Sequence, residues 1–382
     1  MPSPFESLLD TRRVIITVGA GGVGKTTSAA ALGVAAARRG KKVLCMTIDP
    51  ARRLAESLGI EQMSTEAMVI DPQLFIDAGA PLKGGLTVMM LDTKRTFDEL
   101  VTKYSSSMEN ADSLLKNKLY QYVSTSLAGT QEYMAMEKLV AVKNDPRYDL
   151  ILLDTPPTSN ALDFLDAPER MIDALDSAAM RWFVEAFQSS GKLSLNILAR
   201  SAALVLKTIG KITGGGFLEE LARFISELND LFGGFKERAK VVQQTLRGTD
   251  VAFVLVTSPA SMSLQEVLYF SDRLEEHGMP RGAFVINRFR VPPAHAGAVI
   301  SPAVAAGALA ARGLVLDVDA PERLVRAHAD AVKLGLLDAQ NVRALDVRLK
   351  GVPIVRVPEL ASDVHDLNRL SQLSDILMHG GI

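Results

Sequence analysis

A single cysteine, Cys45, excludes a disulfide within the chain and any cysteine-rich zinc site. The five histidines (His277, His295, His328, His365 and His379) fall at neither HxxxH nor HExxH spacing and read as surface or packing residues. No run of about 18 uncharged apolar residues occurs, so no membrane-spanning helix is expected. The opening "MPSPFESLLDTRR" carries acidic residues and no apolar run, which is not how a secretion signal reads. Formal net charge is −2, so no general basic field points to nucleic acid or an anionic membrane. The longest basic cluster, Arg38-Arg39-Gly40-Lys41-Lys42, reads as a solvated helix end before a strand. Neither an internal repeat nor a low-complexity linker is found. The expectation is a cytoplasmic protein without a nucleic-acid partner.

What is present is apolar surface in quantity: 48% of the 382 residues are hydrophobic and 23% charged, enough for a large core under a soluble exterior. The opening reads strand, loop, helix, strand. "RVIITV" is a β-branched run ending in glycines, "KTTSAAALGVAAARRG" is an Ala-rich helix stopped by Arg38, Arg39 and Gly40, and "KVLCMTID" is the next apolar run. Further runs of this kind begin at Leu86, Asp149, Asp250, Gly282 and Val352. Near-continuous apolar strands with helices between them predict an α/β fold, a mainly parallel, doubly wound sheet covered on both faces. About sixty residues separate the third and fourth runs and about a hundred the fourth and fifth, far more than an ordinary crossover. These gaps predict an α-helical region, at approximately 94–148 and 160–247, inserted into one domain spanning 1–382. A further Ala-rich helical segment is expected over 298–350.

Residues 19–27, "GAGGVGKTT", fit G-x-x-x-x-G-K-[ST] in full. Glycines let consecutive N–H groups point at phosphate oxygens without a Cβ in the way. Lys25 reaches the β- and γ-phosphates, the Thr26 hydroxyl ligates Mg²⁺, and the following helix offers its N-terminus to the anion. A chance match in a chain of this length is on the order of one in a hundred, and the strand-to-helix context is the one the mechanics require. The bland alternative is a tight strand–helix turn without ligand.

Two acidic residues end apolar runs. Asp154 closes "LILLD", the place for a carboxylate that holds the metal's water shell; Pro156, Pro157 and Ser159 follow in an irregular loop suited to sensing the γ-phosphate. Its other reading is a strand-end turn or a helix cap. Asp49 closes the second run in "TIDPARRLAESLG". At the carboxyl edge of a parallel sheet it would sit beside the P-loop, able to orient or deprotonate an attacking water and to reach the metal through water. Asp-Pro before a helix is equally an ordinary start signal, with Pro50 at the first helical position.

The set "GAGGVGKTT", "TIDPARRLAESLG", "DTPPTSNALDFL" and "VINR" resembles the ArsA family of P-loop ATPases, which includes arsenite-pump and tail-anchored-protein targeting ATPases. The stretches "MLDTKRTFDELV" and "SLAGTQEYMAMEKL" bring the chain nearest the actinobacterial anion-transporting ATPase members, and the resemblance spans essentially the whole sequence. It implies an ATPase that hydrolyses ATP with Mg²⁺ in a dimer whose helical regions rearrange with nucleotide state. Gly21, Gly22, Val23, Gly24, Lys25, Thr26 and Thr27 match the P-loop, Asp49 the switch I aspartate that positions the hydrolytic water, and Asp154 to Thr158 switch II. Asn287 matches the asparagine that reads the adenine edge, and Pro358 aligns with a loop that packs on the purine.

The departures also carry information. Family members usually have lysine where this chain has Ala20, and that lysine reaches the partner's nucleotide across the dimer. Alanine cannot supply the charge, which leaves a partner chain with the lysine, or Arg52 or Arg53 after switch I, as its source. The resemblance to arsenite sensors stops at their thiolates, and the CxxC that bridges the eukaryotic dimer with zinc is absent.

The helical region has two readings. Arg200, Lys207 and Lys211 lie on one narrow face of an apolar helix at 193–212, and Leu221, Phe224, Ile225, Leu228, Leu231 and Phe232 form a second helical stripe. These surfaces, with Met134, Met136, Met171 and Met180, suit either a groove for an apolar client helix or membrane partner, or plain packing. The function expected is an Mg-dependent ATPase driving a helical client-binding region. The alternative is a nucleotide-binding regulatory subunit with weak hydrolysis, paired with a catalytic homologue. A P-loop kinase or synthetase fits less well, since no acceptor-site motif is seen.

Overall fold

A computed structural model of the chain describes residues 3–48, 53–60, 63–118, 120, 121, 124, 130–155, 166, 167, 169, 170, 173, 224, 237–293, 300–314, 317–349 and 351–381. Among these residues eight strands form one sheet: β1 (Val14–Val18), β2 (Lys42–Thr47), β3 (Met68–Val69), β4 (Gly85–Met90), β5 (Leu150–Asp154), β6 (Val251–Thr257), β7 (Arg281–Phe289) and β8 (Ile354–Pro358). Their order across the sheet is β3-β4-β2-β5-β1-β6-β7-β8. Every pairing is parallel except the antiparallel β3–β4 edge.

β1, β5 and β6 are buried along their whole length, which is why their sequences read as unbroken apolar runs. Two hydrophobic clusters result, one on each face. The P-loop face carries α2 (Lys25–Arg38), buried nearly all round. Such burial is possible because its Ala-rich sequence lets a helix lie close to the sheet. Gly33 marks the closest approach, where an added Cβ would come within 2.6 Å of the Cys45 Sγ. α1 (Pro4–Thr11) and α11 (Leu367–Met378) cover α2 from outside. The basic cluster at its end is paired: Arg38 with Asp375 at 2.7 Å, and Arg39 with Asp10 at 2.9 Å.

On this same side α3 (Arg53–Ser57) follows β2, and α4 (Pro72–Asp77) leads into β4. The opposite face is covered by α5 (Thr93–Tyr104), α6 (Met108–Lys116), α7 (Thr130–Lys143), helical residues 237–246 and α8 (Ser261–Glu276). A buried polar cluster ties α7 to 237–246. The Tyr133 hydroxyl donates to Glu137 at 2.6 Å, and Arg238 donates two hydrogen bonds to the same carboxylate. Met134 and Met136 are fully buried here, as packing residues.

The region expected to be helical over 94–148 contains α5, α6 and α7. Most of 160–247 lies outside the described residues, including the 193–212 helix with Arg200, Lys207 and Lys211, Met171, Met180, and all of the 221–232 stripe but buried Phe224. The Ala-rich segment contains α9 (Pro302–Ala311) and α10 (Ala320–Arg348), which pack on each other. α10 is anchored at its middle. Buried Asp338 accepts from the Arg290 backbone N–H, Nε and guanidinium at 2.8 to 3.0 Å. Among the described residues no helix is long and apolar enough to cross a membrane.

Candidate functional site

β1 is the pivot of the sheet, with β5 and β2 to one side and β6 and β7 to the other. Parallel strands put all their carboxyl ends on one edge, so the loops after β1, β2, β5, β7 and β8 meet there. The loop after β1 is residues 19–24. Gly19, Gly22 and Gly24 have φ of 154°, 74° and 96°. At Gly19 a Cβ would lie 1.9 Å from the Val256 carbonyl oxygen, and at Gly24 it would lie 2.3 Å from Asn287 Nδ2. Gly19 and Gly24 therefore answer both a backbone conformation and a close approach, and Gly22 the conformation alone. Gly24 stands at the N-cap of α2 and no side chain caps the helix there, the open arrangement that suits an anion.

Lys25 is almost fully buried and its Nζ donates to the Ala20 carbonyl at 2.9 Å, turned back over the loop. Ala20 is itself 6% exposed, its methyl packed in the hydrophobic cluster of the P-loop face. Beneath the loop, Asp154 is 1% exposed at the end of β5. Its Oδ2 accepts from the Thr26 hydroxyl at 2.7 Å and from the Thr47 hydroxyl at 3.0 Å. The next residue, Thr155, donates its hydroxyl to the Thr17 carbonyl at 2.8 Å, tying the end of β5 to β1; Pro156, Pro157, Thr158 and Ser159 lie outside the described residues. Asp154 is thus buried and hydrogen-bonded to the P-loop threonine. Its charge also reaches Cys45, whose thiol is pushed up to about 12, chiefly by burial and secondly by Asp154.

Thr26 and Asp154 fit a magnesium ion. Both supply oxygen, the hard donor that Mg²⁺ takes, and the ion keeps several waters while using one or two protein groups and substrate phosphates. The Ile48 N–H donates to the Asp154 carbonyl at 3.3 Å, so the chain leaving β2 is held beside β5. Asp49 and Arg52 lie outside the described residues.

Asn287, near the end of β7, reaches back to the loop: its Nδ2 donates to the Val23 carbonyl at 2.9 Å. A cavity of about 650 Å³ opens over these groups, of a size that suits a nucleotide. Gly22, Gly24, Lys25, Thr26 and Thr27 line it together with Asn287, which touches the loop, and Arg53, Glu56, Ser57 and residues 359–365 line it as well. The structure therefore gathers five of the predicted P-loop residues with Asn287 and Arg53.

Pro358 is placed differently. It pairs with Phe289 at the end of β8, and it is the segment Glu359 to His365 after it that lines the cavity. Sequence reading did not single out that segment; His365, read as a surface or packing residue, is exposed and also lines the cavity. Sequence reading also missed Glu56, Ser57 and Arg288. Glu56 and Ser57 fall within "TIDPARRLAESLG" and Arg288 closes "VINR", so their places in those stretches were the available signal.

Over residues 12–297 the sequence matches the family described as Anion-transporting ATPase. It is 22% identical to the ATPase GET3 of Malassezia globosa, over 99% of this chain and 95% of that protein. It is 24% identical to the putative arsenical pump-driving ATPase 1 of Aquifex aeolicus, over 96% of this chain and 78% of that protein. The figure is again 24% for the ATPase get3 of Pyrenophora tritici-repentis, over 76% and 78% of the two chains. The family match ends before α9, so the α9–α10 pair lies beyond it.

Proposed function

The chain belongs to the anion-transporting ATPase family and is an ATPase, and from that premise we propose that it hydrolyses Mg-ATP to ADP and phosphate in a dimer, moving a helical region that binds a client or partner. The observation that carries the catalytic part is the contact of Thr26 with Asp154 beside Lys25, in one cavity with Asn287. In this reading the loop N–H groups and Lys25 bind the phosphate oxygens. Thr26, with Asp154 and Asp49 through water, holds Mg²⁺. When bound, the ion neutralises charge on the β- and γ-phosphate oxygens.

Asp49 orients the water and takes its proton as that oxygen attacks the γ-phosphorus and the bond to the ADP oxygen breaks. Asn287 reads the adenine edge, since a carboxamide both donates and accepts. Pro358 supports the loop beside the purine. The test is steady-state hydrolysis of ATP against GTP by the purified chain with and without Mg²⁺. Equal affinity for GTP and ATP would remove the adenine assignment, and turnover independent of Mg²⁺ would remove the metal.

The name of the Aquifex aeolicus relative refers to an arsenical pump. One cysteine, buried and with a thiol raised to about 12, does not supply the several thiolates an arsenic(III) centre requires. The client side of the proposal therefore rests on the apolar helical stretches of the sequence.

Ala20 favours a second reading, a regulatory subunit that hydrolyses weakly by itself. A cation supplied in trans to the γ-phosphate is worth roughly 10³–10⁵-fold in rate, and position 20 holds a methyl group. A homologous subunit with lysine there would complete the site in a heterodimer. Arg53 is the competing source, because it lines the nucleotide cavity of its own chain; Arg52 is its neighbour in sequence. Fast turnover by the chain alone, lost in Arg53→Ala or Arg52→Ala, would favour the arginine. Slow turnover that rises with such a homologue, or in Ala20→Lys, would favour the pair.

A further inference from the structure

Asn287 is engaged on both sides of its carboxamide. Its Nδ2 donates to the Val23 carbonyl at 2.9 Å, and its Oδ1 accepts from the Arg288 backbone N–H at 3.0 Å. The partners fix the orientation of the amide, because a carbonyl only accepts and a backbone N–H only donates. The backbone is built around this placement. Arg288 has φ of 57°, the one non-glycine residue in the left-handed region among the described residues. The register between β7 and β8 shifts between Ile286 and Phe289, so the strand bulges at Asn287-Arg288 and re-aims the asparagine. A disfavoured conformation of this kind persists only where its surroundings over-determine it. On the loop side, Gly24 is the residue whose missing Cβ leaves room for Nδ2.

We propose that Asn287 is a positioning residue for the phosphate cradle as well as a base contact. By holding the Val23 peptide it sets the direction of the loop backbone entering Gly24 and Lys25, and so ties the purine end of the cavity to the phosphate end. An amide has two donor hydrogens and two acceptor lone pairs. One of each is used on the protein, and one of each remains for a purine edge, so holding and reading are compatible. The inference rests on the reading of residues 19–27 as a phosphate site. Its distinguishing consequence is that a polyphosphate with no base at all should depend on Asn287.

The experiment compares Mg-ATP with Mg-bound inorganic tripolyphosphate by calorimetry and mutual competition, in wild type, Asn287→Ala and the near-isosteric Asn287→Leu, the leucine keeping the volume filled should alanine fail to fold. Both variants are expected to lose tripolyphosphate affinity by roughly three- to tenfold, the size of one net hydrogen bond. Amide hydrogen exchange within 19–27 is expected to quicken in the unliganded variants while β1 and β5 exchange as in wild type. Unchanged tripolyphosphate affinity with weakened ATP binding, or unchanged exchange in the loop, would overturn the proposal and leave Asn287 as a base reader. Failure of wild type itself to bind tripolyphosphate in competition with ATP would instead overturn the phosphate reading of the loop, and this inference with it.

Discussion

Two parts of the lining of the nucleotide cavity are built on different principles. Around the P-loop the groups are tied to the sheet: Lys25 and Asp154 are buried, and Thr26 at the start of α2 joins Thr47 of β2 and Asp154 of β5 in one hydrogen-bonded set. The lining also includes a mostly exposed loop, Glu359 to His365. This loop is tethered by the Glu359 N–H to the Phe289 carbonyl, by Arg369 donating to the Asp363 carbonyl at 2.9 Å, and by a 3.8 Å approach of Arg288 to Asp363. Fixed dipoles and a fixed cation are worth most where charge develops, because they need no reorganisation during the reaction. Recognition of a flat base tolerates a looser frame. On the proposed function, the chemistry would fall on the tightly held groups around the P-loop, with the exposed 359–365 loop beside the base.

Substitutions should grade accordingly. The largest loss is expected for Asp49→Asn, roughly 10²–10⁴-fold in kcat from removal of a general base, with Mg-ATP affinity nearly unchanged. Single-turnover hydrolysis reads it, and an unchanged rate would restore the helix-capping role of Asp49. Next comes Lys25→Ala, with ATP affinity lower on the order of a hundredfold through loss of charged hydrogen bonds. Wild-type affinity by calorimetry would dissolve the phosphate end altogether. At the base end the discrimination of ATP from GTP should fall by about tenfold in Asn287→Ala, the scale of one or two hydrogen bonds. Competition binding measures this. Pro358→Ala should change ATP affinity by no more than about threefold, since surface substitutions away from special features stay within about 0.5 kcal/mol. A larger effect at Pro358 than at Lys25 would invert the comparison.

The same division decides how much could be read in advance. Seven of the eight strands were legible because a buried parallel strand has to be an apolar run; β3 was not, being two residues on an edge. The P-loop was legible because backbone N–H groups reach phosphate only through glycines at fixed spacing, and Asp154 because it ends a buried run. The loop 359–365 carries no such requirement, so its sequence, "ELASDVH", gives no sign of lining a cavity. Arg288 shows a subtler failure. Local propensity assigns a left-handed residue to glycine or asparagine, and here the hydrogen bonds of Asn287 impose it on arginine. α9 and α10 were visible as Ala-rich helical sequence, but the buried Asp338 that pins α10 to Arg290 was not, because a carboxylate on a long helix ordinarily faces water.

Cys45 lies in the middle of β2, 1% exposed, with Gly33 of α2 pressed against its sulfur. It is the chain's sole thiol, and as a thiol of raised pKa it is a poor nucleophile in the folded state. A thiol-directed reagent can therefore modify this molecule only when the central sheet opens. The rate of labelling is a direct clock for that opening, and nucleotide bound at the P-loop should slow it by the factor 1 + [L]/Kd that mass action requires when the open form binds no ligand. Labelling followed by mass spectrometry at increasing ATP would yield affinity and global stability together, from a native reporter that needs no engineered probe. Labelling that ignores ATP would mean that β2 is exposed by an opening which leaves the nucleotide cavity intact.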